Sequence, residues 1–170
     1  MKREQKIVAA GALSGVATMV VLVSLLYAYL PEMSGMETVT ERIAFALQMN
    51  VFAVIPLFVM IASVGNARFL SEAIDPTRHA ENKAMEIDGR VVDNTLQQNT
   101  VFFIGTLALA TLVPPQATKI IAALTTVFIL ARLAFWYGYR KNPLYRAPGM
   151  AGTSYMNLGI LATCVYLILS

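Results

Sequence analysis

The chain has 170 residues, of which 57% are apolar and 14% are charged, and its formal net charge is +3. Its mean hydropathy is +0.62. A soluble domain of this length needs more charge to cover its surface, and a disordered one would be less apolar. The single cysteine (Cys164) and single histidine (His79) exclude a disulfide framework and a Cys/His metal site. The composition predicts an integral membrane protein, and we expect no nucleic-acid partner.

Five apolar stretches approach the roughly 20 residues that a helix needs to cross a bilayer. They lack the alternating pattern of a barrel strand, so the predicted fold is all-helical. The last stretch is short, which predicts a nearly untilted span or a locally thinned bilayer. The predicted spans are residues 7–30, 43–64, 95–113, 120–139 and 155–169.

The first stretch follows three basic residues, as a signal peptide would, but it is too long for one and no small-residue cleavage site follows it. We interpret it as a retained anchor helix. Gly11 and Gly15 have the small-xxx-small spacing that lets another helix approach closely. Small residues are also common in such helices, so the spacing is consistent with either reading.

Prolines and glycines predict where the helices end. Pro56 lies inside the second span, where a kink is tolerated. The polar segment 71–90 carries most of the mixed charge, and we expect a turn at 75–77 followed by a short amphipathic helix. Breaks between spans are predicted at Pro31, Pro114–Pro115, Asn142–Pro143 and Pro148–Gly149.

The distribution of lysine and arginine predicts the orientation, because cytoplasmic segments are enriched in these residues. With the N-terminus inside, only Arg42 and Lys119 fall outside. We therefore expect a cytoplasmic N-terminus and an external C-terminus, in a bacterial inner membrane or an endoplasmic reticulum. The inner segments carry Lys2, Arg3, Lys6, Arg68, Arg78, Lys83, Arg90, Arg132, Arg140, Lys141 and Arg146.

Polar residues in spanning helices are costly, and two groups stand at the inner face. Arg90, Asn94 and Gln97 share one stripe of the third helix. Arg132, Phe135, Trp136 and Tyr139 share a face of the fourth. Arginines beside amides and a phenol suit a polar anion, and a guanidinium near a ligand's thiol would stabilise its thiolate. Snorkelling arginines, interhelical hydrogen bonds and an aromatic belt remain the structural alternatives.

Two motifs resemble those of the MAPEG family, the membrane-associated proteins in eicosanoid and glutathione metabolism. Residues 94–98 (Asn-Thr-Leu-Gln-Gln) are similar to its Asn-x-x-Glu-Gln segment. Residues 131–139, followed by Arg146, are similar to its Arg-x-x-Tyr-x-x-Gly-Tyr block and the arginine after it. The similarity is weaker over 43–70, and residues 1–42 lie outside it. It implies a four-helix membrane domain at 43–170, preceded at 1–42 by an extra transmembrane helix and an acidic linker.

The resemblance also implies a homotrimer with glutathione as co-substrate, bound between subunits at the cytosolic face. Arg90, Asn94 and Gln97 would hold the polar part of the tripeptide, with Tyr139 and Arg68 as further contacts. Arg146 would stabilise the thiolate. A lipophilic electrophile or hydroperoxide would arrive from the bilayer, so the implied function is a glutathione-dependent transferase or peroxidase.

Two departures from the family pattern leave a second function open. Gln97 replaces a glutamate that pairs with the amino group of glutathione, and Phe135 replaces a frequent tyrosine in the same site. Because family members that bind lipids without catalysis exist, a non-catalytic lipid-binding or regulatory protein is the alternative. A small transporter or channel subunit is a weaker one, because no span carries an acidic residue at its centre and only Gln48 and Asn50 support it.

Overall fold

The structure, a computed structural model, describes residues 2–78 and 80–170; His79 lies outside them. Within these residues the chain forms five long helices joined by short turns, and the all-helical prediction is confirmed. The turn predicted at Pro114–Pro115 is a 3-10 turn, Pro115–Ala117, and another, Pro143–Arg146, precedes the last helix. The helices are α1 (Arg3–Tyr29), α2 (Val39–Phe69), α3 (Lys83–Leu112), α4 (Lys119–Lys141) and α5 (Ala147–Leu169).

Four of the helices in the described residues (α1, α2, α4 and α5) are long and apolar enough to cross a membrane. The third predicted span is not among them. Helix α3 is the longest apart from α2 at 30 residues, but its first half carries amide and charged side chains that lower its mean hydropathy. It packs against α2, α4 and α5, so protein surrounds much of it.

Two sequence predictions about helix ends are wrong. Pro148–Gly149 does not break the chain: Pro148 lies in the first turn of α5, where its missing N–H costs no hydrogen bond. Helix α5 therefore has 23 residues, and the last span is not short. The amphipathic helix expected within 71–90 is likewise not separate, because Asn82 caps α3 by accepting from Met85 N at 3.0 Å and the helix continues to Leu112.

The helices run alternately up and down. Near one end, Lys119 of α4 donates to the carbonyl of Leu30, just after α1, at 3.0 Å. Arg42 of α2 donates to Ala110 O of α3, also at 3.0 Å. The N-termini of α1, α3 and α5 and the C-termini of α2 and α4 lie at the other end, which we call the basic end. The eleven basic residues predicted to share one side all belong to segments at that end.

The centre of the bundle combines aromatic packing with interhelical hydrogen bonds. The rings of Phe102 and Phe128 stack with centroids 4.3 Å apart. Asn50 donates to Thr106 Oγ1 at 2.9 Å, and Asn99 donates to the carbonyl of Ala53 at 3.0 Å. Such bonds hold helices together where lipid gives no hydrophobic driving force. Asn50 therefore has a structural role, which removes the main support for the transporter reading.

Helix α1 packs on α5 and α4 through its glycines, which decides between the two readings of the Gly11–Gly15 spacing. A Cβ added at Gly15 would lie 2.1 Å from the carbonyl oxygen of Pro148, and one at Gly11 would lie 3.2 Å from Ala147 Cβ. Gly152 of α5 faces the same contact, since its added Cβ would be 3.4 Å from Gly15 O. Only a glycine at position 15 permits this approach.

A buried arginine joins three helices beneath this contact. Arg132 of α4 is fully buried; it donates to Asn94 Oδ1 of α3 at 2.9 Å and to Gly149 O of α5 at 2.9 Å. It also donates a short hydrogen bond to Thr153 Oγ1. None of the described carboxylates forms an ion pair with it. Neutral acceptors alone therefore compensate its charge.

We predict that Gly15→Leu destabilises the protein by about 1–3 kcal/mol, because the side chain would overlap the Pro148 carbonyl and push α1 away. Thermal unfolding in detergent measures the effect. Ala9→Leu, at an exposed position of the same helix, is the control and should melt like the wild type. Equal melting temperatures for Gly15→Leu and Ala9→Leu would contradict the close contact.

We predict that Asn94→Ala lowers the free energy of unfolding by roughly 1.5–3 kcal/mol, since a buried guanidinium loses a hydrogen-bond acceptor. Denaturant titration in detergent is the measurement. Gln97→Ala, one turn along the same helix and exposed, should change stability by less than about 0.5 kcal/mol. If the two variants lose stability equally, the Asn94–Arg132 hydrogen bond does not stabilise the fold.

Candidate functional site

Four of the residues of the two motifs form a continuous series of contacts with Arg132 toward the basic end. Arg132 is hydrogen-bonded to Asn94. Its guanidinium also lies 4.6 Å from the centroid of the Phe135 ring. Phe135 meets Tyr139 edge to face with centroids 5.7 Å apart. The Arg146 guanidinium lies 5.1 Å from the centroid of Tyr139. The motifs are thus connected through side chains within one chain.

The turn after α4 determines the position of Arg146. Asn142 begins the 3-10 turn by accepting from Leu144 N at 2.9 Å. The turn folds back onto α4 at Gly138, where an added Cβ would be 2.3 Å from Tyr145 O. Arg146 then donates to Pro143 O at 3.1 Å, and its guanidinium lies over the Tyr139 ring. Gly138 is therefore required for the placement of Arg146.

Phe135 and Tyr139 belong to the core of the bundle. They are 1% and 9% exposed and pack with Met60 of α2 and Val91 of α3. Tyr139 offers Arg146 the face of its ring, an attraction of about 0.5–1 kcal/mol for an exposed cation. This contact orients the guanidinium but does not neutralise its charge.

The remaining predicted residues are placed apart from this series. Arg90 and Gln97 are exposed on α3 and make no hydrogen bond or ion pair with any residue that the structure describes. Arg68, at the end of α2, forms a close ion pair with Glu81 of the α2–α3 connection. Arg68 therefore already has an anionic partner in this chain, whereas Arg90 has none among the described residues.

Sequence reasoning missed Asp88, the most connected acid at the basic end. Its carboxylate accepts two hydrogen bonds from Arg140, at 2.7 and 2.6 Å, and one from Trp136 Nε1 at 3.0 Å. Trp136 is thus a hydrogen-bond donor and not only a member of an aromatic belt. The signal was present in the sequence: opposite charges lie at the adjoining ends of two helices predicted to be antiparallel.

Two arginines of the predicted site therefore remain available for an anion. Arg90 and Arg146 form no ion pair with any described carboxylate, while Arg68 and Arg140 are paired with carboxylates and Arg132 is enclosed. Asn94 uses Oδ1 for Arg132, and in the described part of the chain its amide N–H groups have no acceptor. Arginines with a nearby amide donor are suited to carboxylates, and an arginine also stabilises a thiolate.

Comparisons with known proteins agree with these motifs. The MAPEG family model matches residues 46–166. Transmembrane protein 79 of Bos taurus is 27% identical over 124 residues, which is 72% of this chain and 31% of that protein. The Mus musculus protein is 26% identical over 141 residues, 82% of this chain and 36% of that protein.

The chain thus spans about a third of the length of these relatives. No solved structure matches it. The family model covers well over half of the chain and includes α3, α4 and most of α2 and α5, whereas α1 lies outside it. The chain belongs to the MAPEG family.

Proposed function

We propose that this membrane protein is a glutathione-dependent transferase or peroxidase acting on lipophilic electrophiles. One observation carries the proposal: the Arg146 guanidinium is oriented by the Tyr139 ring, yet no described carboxylate neutralises it. A guanidinium in this state stabilises a bound thiolate and lowers the pKa of the thiol from its ordinary value of about 8.5. By its resemblance to the family motif, Arg146 would be the arginine that stabilises the thiolate.

The tripeptide would be held by groups on α3. Arg90 offers a bidentate fork to a carboxylate, Asn94 offers its amide N–H groups, and Gln97 offers an amide near the ligand's amino group. All three lie on the exposed or half-exposed side of α3, so a neighbouring copy must close the site. We propose the homotrimer on the same ground, because Gln97 would otherwise face hydrocarbon.

The reaction needs little from the protein beyond charge placement. Glutathione loses its thiol proton to solvent, and Arg146 stabilises the sulfur anion. The sulfur then forms a bond to an electrophilic carbon, which releases its leaving group as an anion. Alternatively it attacks a hydroperoxide oxygen and breaks the O–O bond, so that the alkoxide takes a proton from solvent and leaves as an alcohol, and a second glutathione converts the resulting sulfenic acid to the disulfide and water. The Arg146 charge is fixed before reaction, so it costs no reorganisation. The lipophilic partner enters from the bilayer beside the basic end.

The basic end also defines the proposed orientation. Since segments rich in lysine and arginine stay in the cytoplasm, we place the N-terminus inside and the C-terminus outside. This puts Arg146 and Arg90 where glutathione is abundant. Both the bacterial inner membrane and the endoplasmic reticulum fit this orientation.

A second candidate function is lipid binding or regulation without catalysis. Three observations favour it: Gln97 is neutral, Phe135 has no hydroxyl and is 1% exposed, and Asn94 Oδ1 is already bonded to Arg132. Each removes one interaction that a bound tripeptide would otherwise gain. Calorimetry with purified protein separates the two functions, because millimolar glutathione should produce binding heat only for the first.

We predict that Arg146→Ala abolishes the ultraviolet absorbance of bound glutathione thiolate at neutral pH and lowers kcat by about 100-fold. Loss of the guanidinium returns the pKa of the thiol to its ordinary range, so the thiol stays protonated. Difference spectra and turnover with an electrophilic substrate are the measurements. Arg146→Lys should keep part of both signals.

Arg78→Ala is the matched control, since Arg78 is an exposed arginine of the α2–α3 connection paired with Asp75. It should retain the thiolate signal and the turnover. Light scattering of both variants checks that the assembly is unchanged. A full thiolate signal in Arg146→Ala would remove the role assigned to Arg146.

We predict that Gln97→Glu tightens glutathione binding about tenfold, because a charge-assisted contact with the ligand's amino group replaces a neutral one. Calorimetry gives the two dissociation constants. A glutathione analogue without the amino group is the control and should bind no more tightly to Gln97→Glu than to the wild type. Equal gains for both ligands would place Gln97 away from the amino group.

A further inference from the structure

A cavity of about 550 Å³ lies between α1 and the rest of the bundle, far from the arginines of the proposed active site. Its wall includes Val16 and Tyr27 of α1, Val113 at the end of α3, Ile120 of α4 and Gly159 of α5. Val16 and Tyr27 are eleven residues apart on α1, so the cavity runs for roughly 17 Å along the helix at 1.5 Å per residue. It is elongated and almost wholly apolar.

The shape and volume suit one hydrocarbon chain. The cavity is many times larger than the space that one water molecule needs, and its length along α1 is that of a long acyl chain. The rim is reachable from the lipid, since Val20 and Tyr155 are 52% and 55% exposed. An apolar space that opens into a bilayer is filled by hydrocarbon and not by water.

A cation lies at the end of this cavity that is opposite the basic end. Lys119 begins α4, next to Ile120 in the wall, and its Nζ lies 5.0 Å from the centroid of the Tyr27 ring. It donates to Leu30 O at 3.0 Å, and no carboxylate among the described residues pairs with it. An ammonium has three N–H donors, so at least one remains for an anion.

The other basic residue at that end cannot take this role. Arg42 is 6% exposed, and its guanidinium donates to the carbonyls of Met36, Glu37 and Ala110. Lys119 is therefore the available positive charge there, beside a space for one chain.

We propose that the groove between α1 and the bundle binds a long-chain fatty acid, with its chain in the cavity and its carboxylate on Lys119. One chain and one negative charge match one chain-sized cavity and one available cation. A phospholipid brings two chains to the same single cation, whereas a fatty acid brings one. The site depends on α1, which lies outside the family match, and it does not depend on glutathione binding.

The test is equilibrium binding of radiolabelled palmitate to the purified full-length chain in detergent, without glutathione. Lys119→Gln, which keeps much of the stem but removes the charge, should weaken binding about tenfold. Gly159→Leu should weaken it at least as much, because a Cβ at Gly159 meets nothing within 4 Å and the side chain can extend into the cavity. Should Gly159→Leu fail to fold, Val20→Trp blocks the rim from an exposed position.

The chain offers a matched control for each variant. Lys141 lies at the opposite end of α4, with its Nζ 5.6 Å from the centroid of Tyr137, so Lys141→Gln should bind palmitate like the wild type. Gly65 of α2 has equally open surroundings away from the cavity, and Gly65→Leu should also bind normally. Arg146→Ala should also bind palmitate like the wild type, which separates this proposal from the proposed function.

Three results would overturn the fatty-acid site. The first is unchanged binding in Gly159→Leu or Val20→Trp, which would place the ligand elsewhere. The second is equal affinity for palmitate and its methyl ester together with no effect of Lys119→Gln, which would remove the carboxylate contact. The third is displacement of palmitate by an equimolar anionic phospholipid, which would make the phospholipid the occupant.

Discussion

The arrangement of this bundle depends on a guanidinium that is fully buried without a carboxylate partner. Arg132 donates hydrogen bonds to an amide, a carbonyl and a hydroxyl, one from α3 and two from α5, and its Nε has no hydrogen-bond partner among the described residues. An ion in a low-dielectric interior costs several kcal/mol unless its hydrogen bonds are satisfied. The three helices are therefore held in a register that keeps all three acceptors within reach. The cation–π contact with Phe135 adds to this compensation on α4 itself.

This constraint explains why residues that resemble a ligand site also serve the fold. Asn94 and Phe135 contact Arg132, Tyr139 packs behind Phe135, and Arg146 rests on Tyr139. Within the described residues, only Arg146, the last member of the series, has a charge without a hydrogen-bonded or ionic partner on another helix. The arrangement delivers a positive group to the surface on a rigid support, which is what preorganised stabilisation of an anion requires.

The sequence predicts the helical architecture well because the bilayer imposes one rule on every span. Apolar length and basic residues correctly gave five helices in an alternating arrangement. These two patterns did not predict the first half of α3. There Asp88 and Asn94 form hydrogen bonds with other helices, and protein surrounds the helix instead of lipid. The sequence prediction was also wrong at Pro148. Proline usually interrupts a helix, so a break was expected there, but Pro148 lies in the first turn of α5.

The site is predictable in part for a different reason. Motif spacing identifies which residues share a helix face, but it does not say which neighbour takes each hydrogen bond. Three features can therefore be seen only in the packed structure. These are the burial of Arg132, the ion pair of Arg68 with Glu81 and the role of Asp88. The exposure of Arg90 and Gln97 likewise follows from the position of α3 in the bundle, which motif spacing does not predict.

The short turn before α5 ties two distant parts of the chain into one mechanical unit. Arg146 is separated from Pro148 by a single residue, and the Pro148 carbonyl abuts Gly15 of α1. On the other side, Tyr145 O abuts Gly138 of α4. Because the backbone of this segment contacts another helix backbone on both sides, the segment cannot move independently of α1 and α4. Arg146 therefore cannot shift along the membrane normal unless α1 moves with it.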